Sequence, residues 1–485
     1  MKVTASRAGH QRGAVVVLGA LIVVLLARLL VTIISEDGAD GDALSNVRAA
    51  HALASTGAIR EEGGALSMYR EPLPNVAYAV QLRLDPRLHE VTLQELRTGG
   101  PEIRALKQQH AVWAALLLAG VALQVWRLAP SRRVVAAAAT VIVVHLMFVE
   151  VVADRTLTEL HAATFVVWIG LTAQRFVRDF RWRDAVALGA LLGLAALTKS
   201  TFLYVGATFI VALGVLTSLR TGRPVRPHLT RTAAALLVLG MVVVPWMGRN
   251  AANFETWSIS DRGGLSLWYR AVYEDASAAE LRGSWYAFTP GPLQPLAGSL
   301  LGVDDADLDG PLRRAHRFHP DEETEQRSFY SLARLDRLAR TEAQLTTGSM
   351  TRPEARVRAD RQLLRAGLDV LVADPLLFLR TAPMFLWRGT WVIKDAPFIP
   401  TAALGVLNPL GMALLIGSGL HGVLGRRPER FAVVGLPFGL VVFSALLTMY
   451  EPRFSEPALP TMIVLVAVGA ARLAERRWPA TTGAR

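Results

Sequence analysis

The residues of this chain best equipped for chemistry are carboxylates and cations placed at the ends of apolar runs. Glu36, Asp37, Asp40 and Asp42 follow the first such run, and Tyr69-Arg70-Glu71-Pro72-Leu73-Pro74 comes later in the same polar stretch. Asp154, Arg155 and Glu159 lie between the third and fourth runs, Lys199 interrupts a longer one, Arg249 follows the next, and Glu451, Arg453 and Glu456 lie between the last two. Carboxylates beside cations at the edge of an apolar region suit a lipid-linked phosphate: the cations hold the anion, and a carboxylate takes a proton as general base. Arg70, Lys199 and Arg453 are the candidates to hold the phosphate, and Arg70 has the bidentate geometry for it. Lys199 stands out because the only lysines are Lys2, Lys107, Lys199 and Lys394. Plainer explanations exist for each. A cation at a membrane edge reaches the headgroups, Glu159 can sit at a helix start, Glu451 with Arg453 can be a structural ion pair, and Asp42 can be a helix N-cap.

These groups need a frame, and the hydropathy pattern supplies it. The chain has 485 residues, 52% of them hydrophobic, gathered into runs of about 20 separated by arginine clusters, as a bilayer about 30 Å thick requires. The pattern predicts an all-α polytopic membrane protein with about ten spans: Ala14–Ile34, Ala111–Leu128, Val134–Val152, Leu157–Phe176, two from Ala185–Leu219 divided at Thr198-Lys199-Ser200, Thr232–Met247, Thr401–Leu420, Phe431–Met449 and Ala458–Leu473. Arginines at 127, 132 and 133, at 175, 178, 181 and 183, at 220, 223, 226 and 231, at 426, 427 and 430, and at 476 and 477 then share one side, which the positive-inside rule makes cytoplasmic. Both termini fall on that side, in the plasma membrane, and every candidate residue falls on the other. The basic start before Ala14 reads as a retained first span rather than a cleaved signal. Arg28, inside that span, reads as snorkelling to the interface.

Between spans, residues 35–110 form a long first outer loop, with helical spacing at Val47–Leu53 and Val91–Leu106. The division expected is 1–250 as an N-terminal transmembrane module, 251–397 as a small extracytoplasmic domain and 398–485 as C-terminal transmembrane helices. Within 251–397, Pro353–Ala373 has helical spacing and Asp374-Pro375 should stop or kink it. Leu376–Ile393, broken by Arg380, Pro383 and Arg388, reads as an interfacial helix.

Several classes drop out. The net charge of +12 belongs to topology signals in short loops, so nucleic acid is not an expected partner. No cysteine is present, which removes thiolate chemistry and disulfides. No Gly-rich phosphate loop or nucleotide fingerprint occurs, which argues against an ATPase and against direct nucleotide-sugar use. The acidic run Asp304–Asp309, with His316, His319 and Asp321–Glu323, lacks calcium-loop or zinc spacing and reads as a solvated loop.

Read together, these motifs resemble the integral-membrane glycosyltransferases of the GT-C type, particularly bacterial relatives of protein O-mannosyltransferases (dolichyl-phosphate-mannose-protein mannosyltransferase-like) and of the aminoarabinose transferase acting on lipid A. Asp42, Ala50, Leu53 and Gly57 match the family's acid, then Ala eight, Leu eleven and Gly fifteen residues on, with Asn46 where a tyrosine is usual. Tyr69 to Pro74 looks like its aromatic-basic-proline element. Thr158-Glu159, the segment from Leu192 to Phe202, Pro245 to Asn250, Gly263 to Tyr269 and Glu451 to Pro457 resemble later elements in the same order. Residues 271–371 resemble nothing in the family.

The resemblance implies an inverting transfer of a hexosyl or pentosyl unit from a polyprenyl-phosphate-linked donor to a lipid, glycan or protein acceptor outside the cytoplasm. It implies Asp42 as catalytic base, with Asp37, Asp40 and Asp154 as alternatives. Donor phosphate would be bound by Arg70, Lys199 and Arg453, with Tyr69, Glu71, Glu159, Arg249 and Glu451 in support. The need for a divalent cation is left open. The competing readings are a transporter or flippase of a lipid-linked glycan and an inactive scaffold of the same fold.

Overall fold

The computed structural model describes residues 2–61, 63–129, 133–221, 225–316, 328–346, 350–392 and 401–477. Among them every regular element is a helix. α1 (Lys2–Arg28) continues through a π-helical turn at Leu29–Ile33, and α2 (Gly41–Thr56), α3 (Pro72–Leu84), α4 (Leu93–Thr98) and α5 (Pro101–Lys107) follow it. Next come α6 (His110–Leu128), α7 (Arg133–Val144), a second π-helical turn at His145–Val149 and the single turn α8 (Glu150–Val152). α9 (Glu159–Asp179), α10 (Trp182–Ala196), α11 (Thr201–Thr221) and α12 (Val225–Phe254) complete the first half. α13 (Gly263–Ala271), α14 (Ala278–Ala287), α15 (Gln294–Leu301), α16 (Asp305–Asp309), α17 (Phe329–Thr346), α18 (Arg352–Ala373) and α19 (Pro375–Thr390) form a layer of shorter and more polar helices. The chain then returns to long apolar helices with α20 (Thr401–Leu424), α21 (Pro428–Leu447), the turn α22 (Pro452–Ser455) and α23 (Leu459–Arg477).

Nine segments among the described residues are long and apolar enough to cross a bilayer: 13–33, 101–128, 133–152, 159–179, 201–220, 226–254, 405–424, 428–447 and 452–477. The protein is an all-α, multi-pass membrane protein. The fifth span expected from the sequence is α10, which at 15 residues rises only about 22 Å. It packs between α9 and α12 nonetheless, burying Ala185, Leu188 and Leu192. Its glycines allow this. A Cβ on Gly189 would meet the Ala235 carbonyl oxygen at 2.2 Å and one on Gly193 would meet Val242 Cβ at 2.6 Å, the close approach that small residues four apart permit between membrane helices.

Two elements differ from the sequence expectation. The seventh span does not end at Met247: α12 continues to Phe254 with Pro245 inside it. Trp246 Nε1 donates to the Ile259 carbonyl at 2.9 Å and Asn250 Nδ2 to the Ser258 carbonyl at 2.7 Å, so the returning strand of chain ties down the last turns. The acidic run 304–309 is a short helix, α16, begun by a capping box between Asp304 and Asp307; His319 and Asp321–Glu323 lie outside the described residues. Arg28 pairs with Glu150 at 2.9 Å, and Glu150 lies 3.2 Å from His145. Arg28, with a side chain 44% exposed, thus has an ion-pair partner as well as access to the surface.

The first loop is folded, not merely long. Val47, Ala50, Tyr78, Leu82, Leu96, Ile103 and Leu106 make a small core of their own. Gly38 and Gly99 let its two ends touch, since a Cβ on Gly38 would lie 2.0 Å from the Arg97 carbonyl oxygen. As expected, Asp374-Pro375 ends α18, and α19 leaves it at 102°. Asp374 accepts the Leu377 N–H at 3.0 Å to start the new helix.

Candidate active site

Five chain breaks meet at one end of the long helices: the turn after α1, the start of α9, the α10–α11 turn, the α12–α13 loop and the α21–α22 turn. Asp42 occupies the first turn of α2, where Asp40, not Asp42, holds the N-cap position, and Asp40 makes no side-chain cap bond. The capping explanation of Asp42 therefore fails. Its carboxylate faces cations instead: Arg70 hydrogen-bonds Oδ1, Arg453 Nη1 donates to Oδ2 at 2.7 Å, and Arg262 Nη1 lies 4.0 Å from Oδ2. Burial alone would raise this carboxyl, but Arg70, Arg262 and Arg453 outweigh it and hold it well below the usual carboxylate range. Arg453 is itself held by Glu451, Nε to Oε2 at 2.8 Å.

Around the same space Lys199 Nζ donates to Glu159 Oε1 at 2.9 Å. Glu71 accepts from the backbone N–H of Ser200 at 3.3 Å and from its hydroxyl at 3.2 Å, which fastens the Tyr69-Arg70-Glu71 segment to the α10–α11 turn. Asp42, Tyr69, Arg70, Glu71, Glu159, Lys199, Glu451 and Arg453 all line one cavity of about 1070 Å³, whose other walls come from α13, α17, α18 and α21. Polar heads meet apolar groups there: Leu265, Leu440, Phe454 and Pro457 are part of the same lining.

The remaining candidates stand apart. Asp37, Asp40 and Asp154 line a smaller neighbouring cavity of about 330 Å³ that shares Asp42 and Arg453 with the large one. Asp154 is a tether: it accepts from the Ser35 N–H at 2.7 Å and from buried Lys107 at 3.0 Å. Arg249 lines neither cavity; it donates to the Ser67 carbonyl at 2.9 Å and lies over the Trp246 ring, a packing role for the 65–70 segment. Asn46 is buried and donates to the Thr156 carbonyl at 2.9 Å, joining α2 to the start of α9.

Sequence reasoning missed the arginines supplied by the central helices. The Tyr69 ring is faced by four guanidinium groups, Arg70 at 4.7 Å, Arg262 at 5.2 Å, Arg337 at 5.9 Å and Arg356 at 4.5 Å from its centroid. Asp261, fully buried, holds two of them, Arg356 at 2.5 Å and Arg337 at 3.5 Å. Burial pushes the Asp261 carboxyl up, and Arg356 and Arg337 more than reverse that. The available signal was local: Arg262 directly precedes the Gly263–Tyr269 element, and Arg352 and Arg356 are four apart on a helix. Among the described residues no group of three His, Cys, Asp or Glu side chains is placed to hold a metal ion.

No family model and no curated protein matches the sequence. Among solved structures, the oligosaccharyltransferase AglB from Archaeoglobus fulgidus, in complex with an inhibitory peptide and a dolichol-phosphate, is similar at 14% identity and a TM-score of 0.46, over 96% of this chain and 52% of that one. ArnT from Cupriavidus metallidurans bound to undecaprenyl phosphate is similar at 14% identity and a TM-score of 0.37, over 96% and 79% of the two chains. The chain thus spans about half the length of the archaeal protein.

Proposed function

We propose that the chain is a GT-C type glycosyltransferase that moves a sugar from a polyprenyl-phosphate-linked donor to an acceptor on the extracytoplasmic side. One observation carries the reading: Asp42 and Arg70 from the first loop, Lys199 from the α10–α11 turn and Arg453 from the α21–α22 turn line a single cavity at the ends of apolar helices. The arginine clusters between the opposite helix ends support the extracytoplasmic placement. The sequence motifs support the donor class.

In this reading the donor's lipid tail lies between helices and its phosphate meets Arg70, Lys199, Arg262 and Arg453. The acceptor hydroxyl attacks the anomeric carbon from the face opposite the phosphate, Asp42 takes the hydroxyl proton, and the sugar–phosphate C–O bond breaks with its electron pair leaving on the polyprenyl phosphate. Cations stabilise that growing charge in a poorly hydrated pocket. They also explain a carboxylate held so far below its usual range: a base this weak is of little use until something else takes its partners. The donor phosphate competes for the same guanidinium groups, so its arrival restores basicity to Asp42. Binding and activation are then one event.

The test is transfer by the purified chain from a radiolabelled polyprenyl-phosphate sugar to a membrane extract. Asp42→Asn should lower transfer about 10²- to 10⁴-fold, while Asp40→Asn, at an exposed position, should leave it near the parent rate. Full transfer by Asp42→Asn would remove Asp42 from the mechanism.

A further inference from the structure

The charge of the large cavity exceeds what a lipid-linked sugar phosphate needs. Its lining holds nine Arg or Lys side chains against five Asp or Glu. Counting buried Asp261, behind Arg337 and Arg356, as a sixth acid still leaves a surplus larger than the single negative charge of a sugar phosphodiester. The surplus is not spread evenly. Tyr330, Arg334, Arg337, Leu338 and Thr341 recur along one face of α17, and Arg352 and Arg356 lie one turn apart on α18. Together they make a wall with four guanidinium groups against two acids, Asp261 behind Arg337 and Arg356 and Glu61 beside Arg356, which leaves a local surplus of two.

The acids of those two helices are turned elsewhere. Asp336 accepts the Trp268 indole N–H at 2.8 Å, Glu354 caps α18 at the Thr351 N–H at 2.8 Å, and Asp360 accepts the N–H groups of Gly264 and Leu265, each at 2.9 Å. Asp369 is exposed. Glu342 meets Arg352 at 3.6 Å, but both side chains are more than 60% exposed, where a pair contributes little. None of these acids lines the cavity. The two helices thus sort their charges, bases toward the cavity and acids away from it.

We propose that this α17–α18 wall is a second anion subsite, binding a phosphate or carboxylate group in addition to the donor phosphate. The proposal rests on the reading of the Asp42 end as the donor-phosphate site. Guanidinium groups of this density suit an anionic oxygen cluster in bidentate contact. Two sources share that chemistry: an acidic acceptor, or the second phosphate of a diphosphate-linked donor.

The experiment uses the full chain in detergent and follows intrinsic tryptophan fluorescence. Undecaprenyl phosphate is titrated first, then, at saturation, glucose 6-phosphate or glucose. Glucose 6-phosphate is expected to bind as a second ligand and glucose is not. Arg334→Ala with Arg352→Ala should weaken that second binding roughly tenfold while leaving undecaprenyl phosphate within about twofold, and the matching lysine pair should recover part of the loss. A separate arm compares undecaprenyl diphosphate with the monophosphate. A loss in the alanine pair confined to the diphosphate assigns the subsite to the donor; a loss confined to glucose 6-phosphate assigns it to the acceptor. Equal binding of all probes by the parent chain and the alanine pair overturns the proposal. If undecaprenyl phosphate fails to bind while glucose 6-phosphate still depends on Arg334 and Arg352, the donor reading fails and the anion subsite stands.

Discussion

Arg453 Nη1 reaches Asp42 Oδ2 at 2.7 Å across 411 residues of sequence. The α21–α22 turn near the end of the chain and the first turn of α2 near its beginning thus build one charge pair, and neither segment alone forms a site. Glu451 orients the guanidinium from behind, at 2.8 Å. Arg453→Ala should keep the fold, because Arg70 still neutralises Asp42, yet lower kcat/KM for the lipid-linked donor about 10²-fold as a cation is lost from the leaving phosphate. Arg453→Lys should recover only part of it, since an ammonium cannot bond Asp42 and phosphate in the guanidinium's fork geometry. Unchanged kcat/KM in the alanine variant would confine Arg453 to structure.

The position of that turn depends on Gly389. A Cβ there would meet the ring of buried Tyr450 at 2.3 Å, and Tyr450 holds a positive φ of 37°, an uncommon backbone state for an aromatic residue. Ser455 locks the pair: its hydroxyl donates to the Gly389 carbonyl and accepts the Tyr450 O–H, both at 2.7 Å. Gly389→Ala must push Tyr450 aside and carry Glu451 and Arg453 with it. A stability loss on the order of 1–3 kcal/mol is expected, together with a transfer defect larger than that of Ser455→Ala. Thermal unfolding in detergent and initial transfer rates measure the two effects on the same preparations.

Much of this arrangement was legible in the sequence, for a physical reason. Spans announce themselves because a bilayer requires continuous apolar length, and the split at Thr198-Lys199-Ser200 followed from length and arginine placement alone. Lys199 and Arg453 stand out because ionisable residues at apolar helix ends need a reason to be there, whereas Asp42 is preferred over Asp37 and Asp40, and Tyr69 to Pro74 is singled out, only through the family resemblance. What could not be read was convergence through the middle of the chain. Arg262, Arg337 and Arg356 belong to a polar region where arginines are ordinary, and only tertiary packing around Tyr69 and Asp261 separates them from surface charges. Arg249 was misplaced for the opposite reason: it sits at the end of a span by sequence, but α12 runs on past it to Phe254.

Lys199 and Glu159 test whether a buried pair is structural, functional or both. Glu159 is 5% exposed and Lys199 19% exposed in their side chains, so removing one partner strands the other. Lys199→Ala alone should destabilise by about 3–5 kcal/mol, and adding Glu159→Gln should return most of that stability. If Lys199 also holds phosphate, the folded double variant will keep a raised KM for the donor. A double variant with the parent's KM and stability would assign the pair to structure only.

Asp360 gives the chain a pH dependence that Asp42 does not. Asp360 lies on α18, outside the apolar spans, and caps α13 where a Cβ on Gly264 would collide with its own carbonyl oxygen at 1.8 Å. Burial is the main cause of its shift, and its carboxyl is pushed up to about 6 from an ordinary 3.8. The folded chain therefore keeps a proton on Asp360 at pH values where the unfolded chain has lost it. Stability from this group is present below the unfolded value and lost as pH rises through about 6. Asp42 has the opposite sign: its contribution is full above its unfolded value and disappears only under strong acid, so it adds no slope between about pH 5 and 8. Unfolding midpoints of the parent and Asp360→Asn, taken at intervals from about pH 7.5 to pH 5, should therefore diverge in the parent's favour as pH falls, by an amount on the order of 1 kcal/mol. Parallel curves would place the Asp360 carboxyl back in the ordinary range and return its role to capping alone.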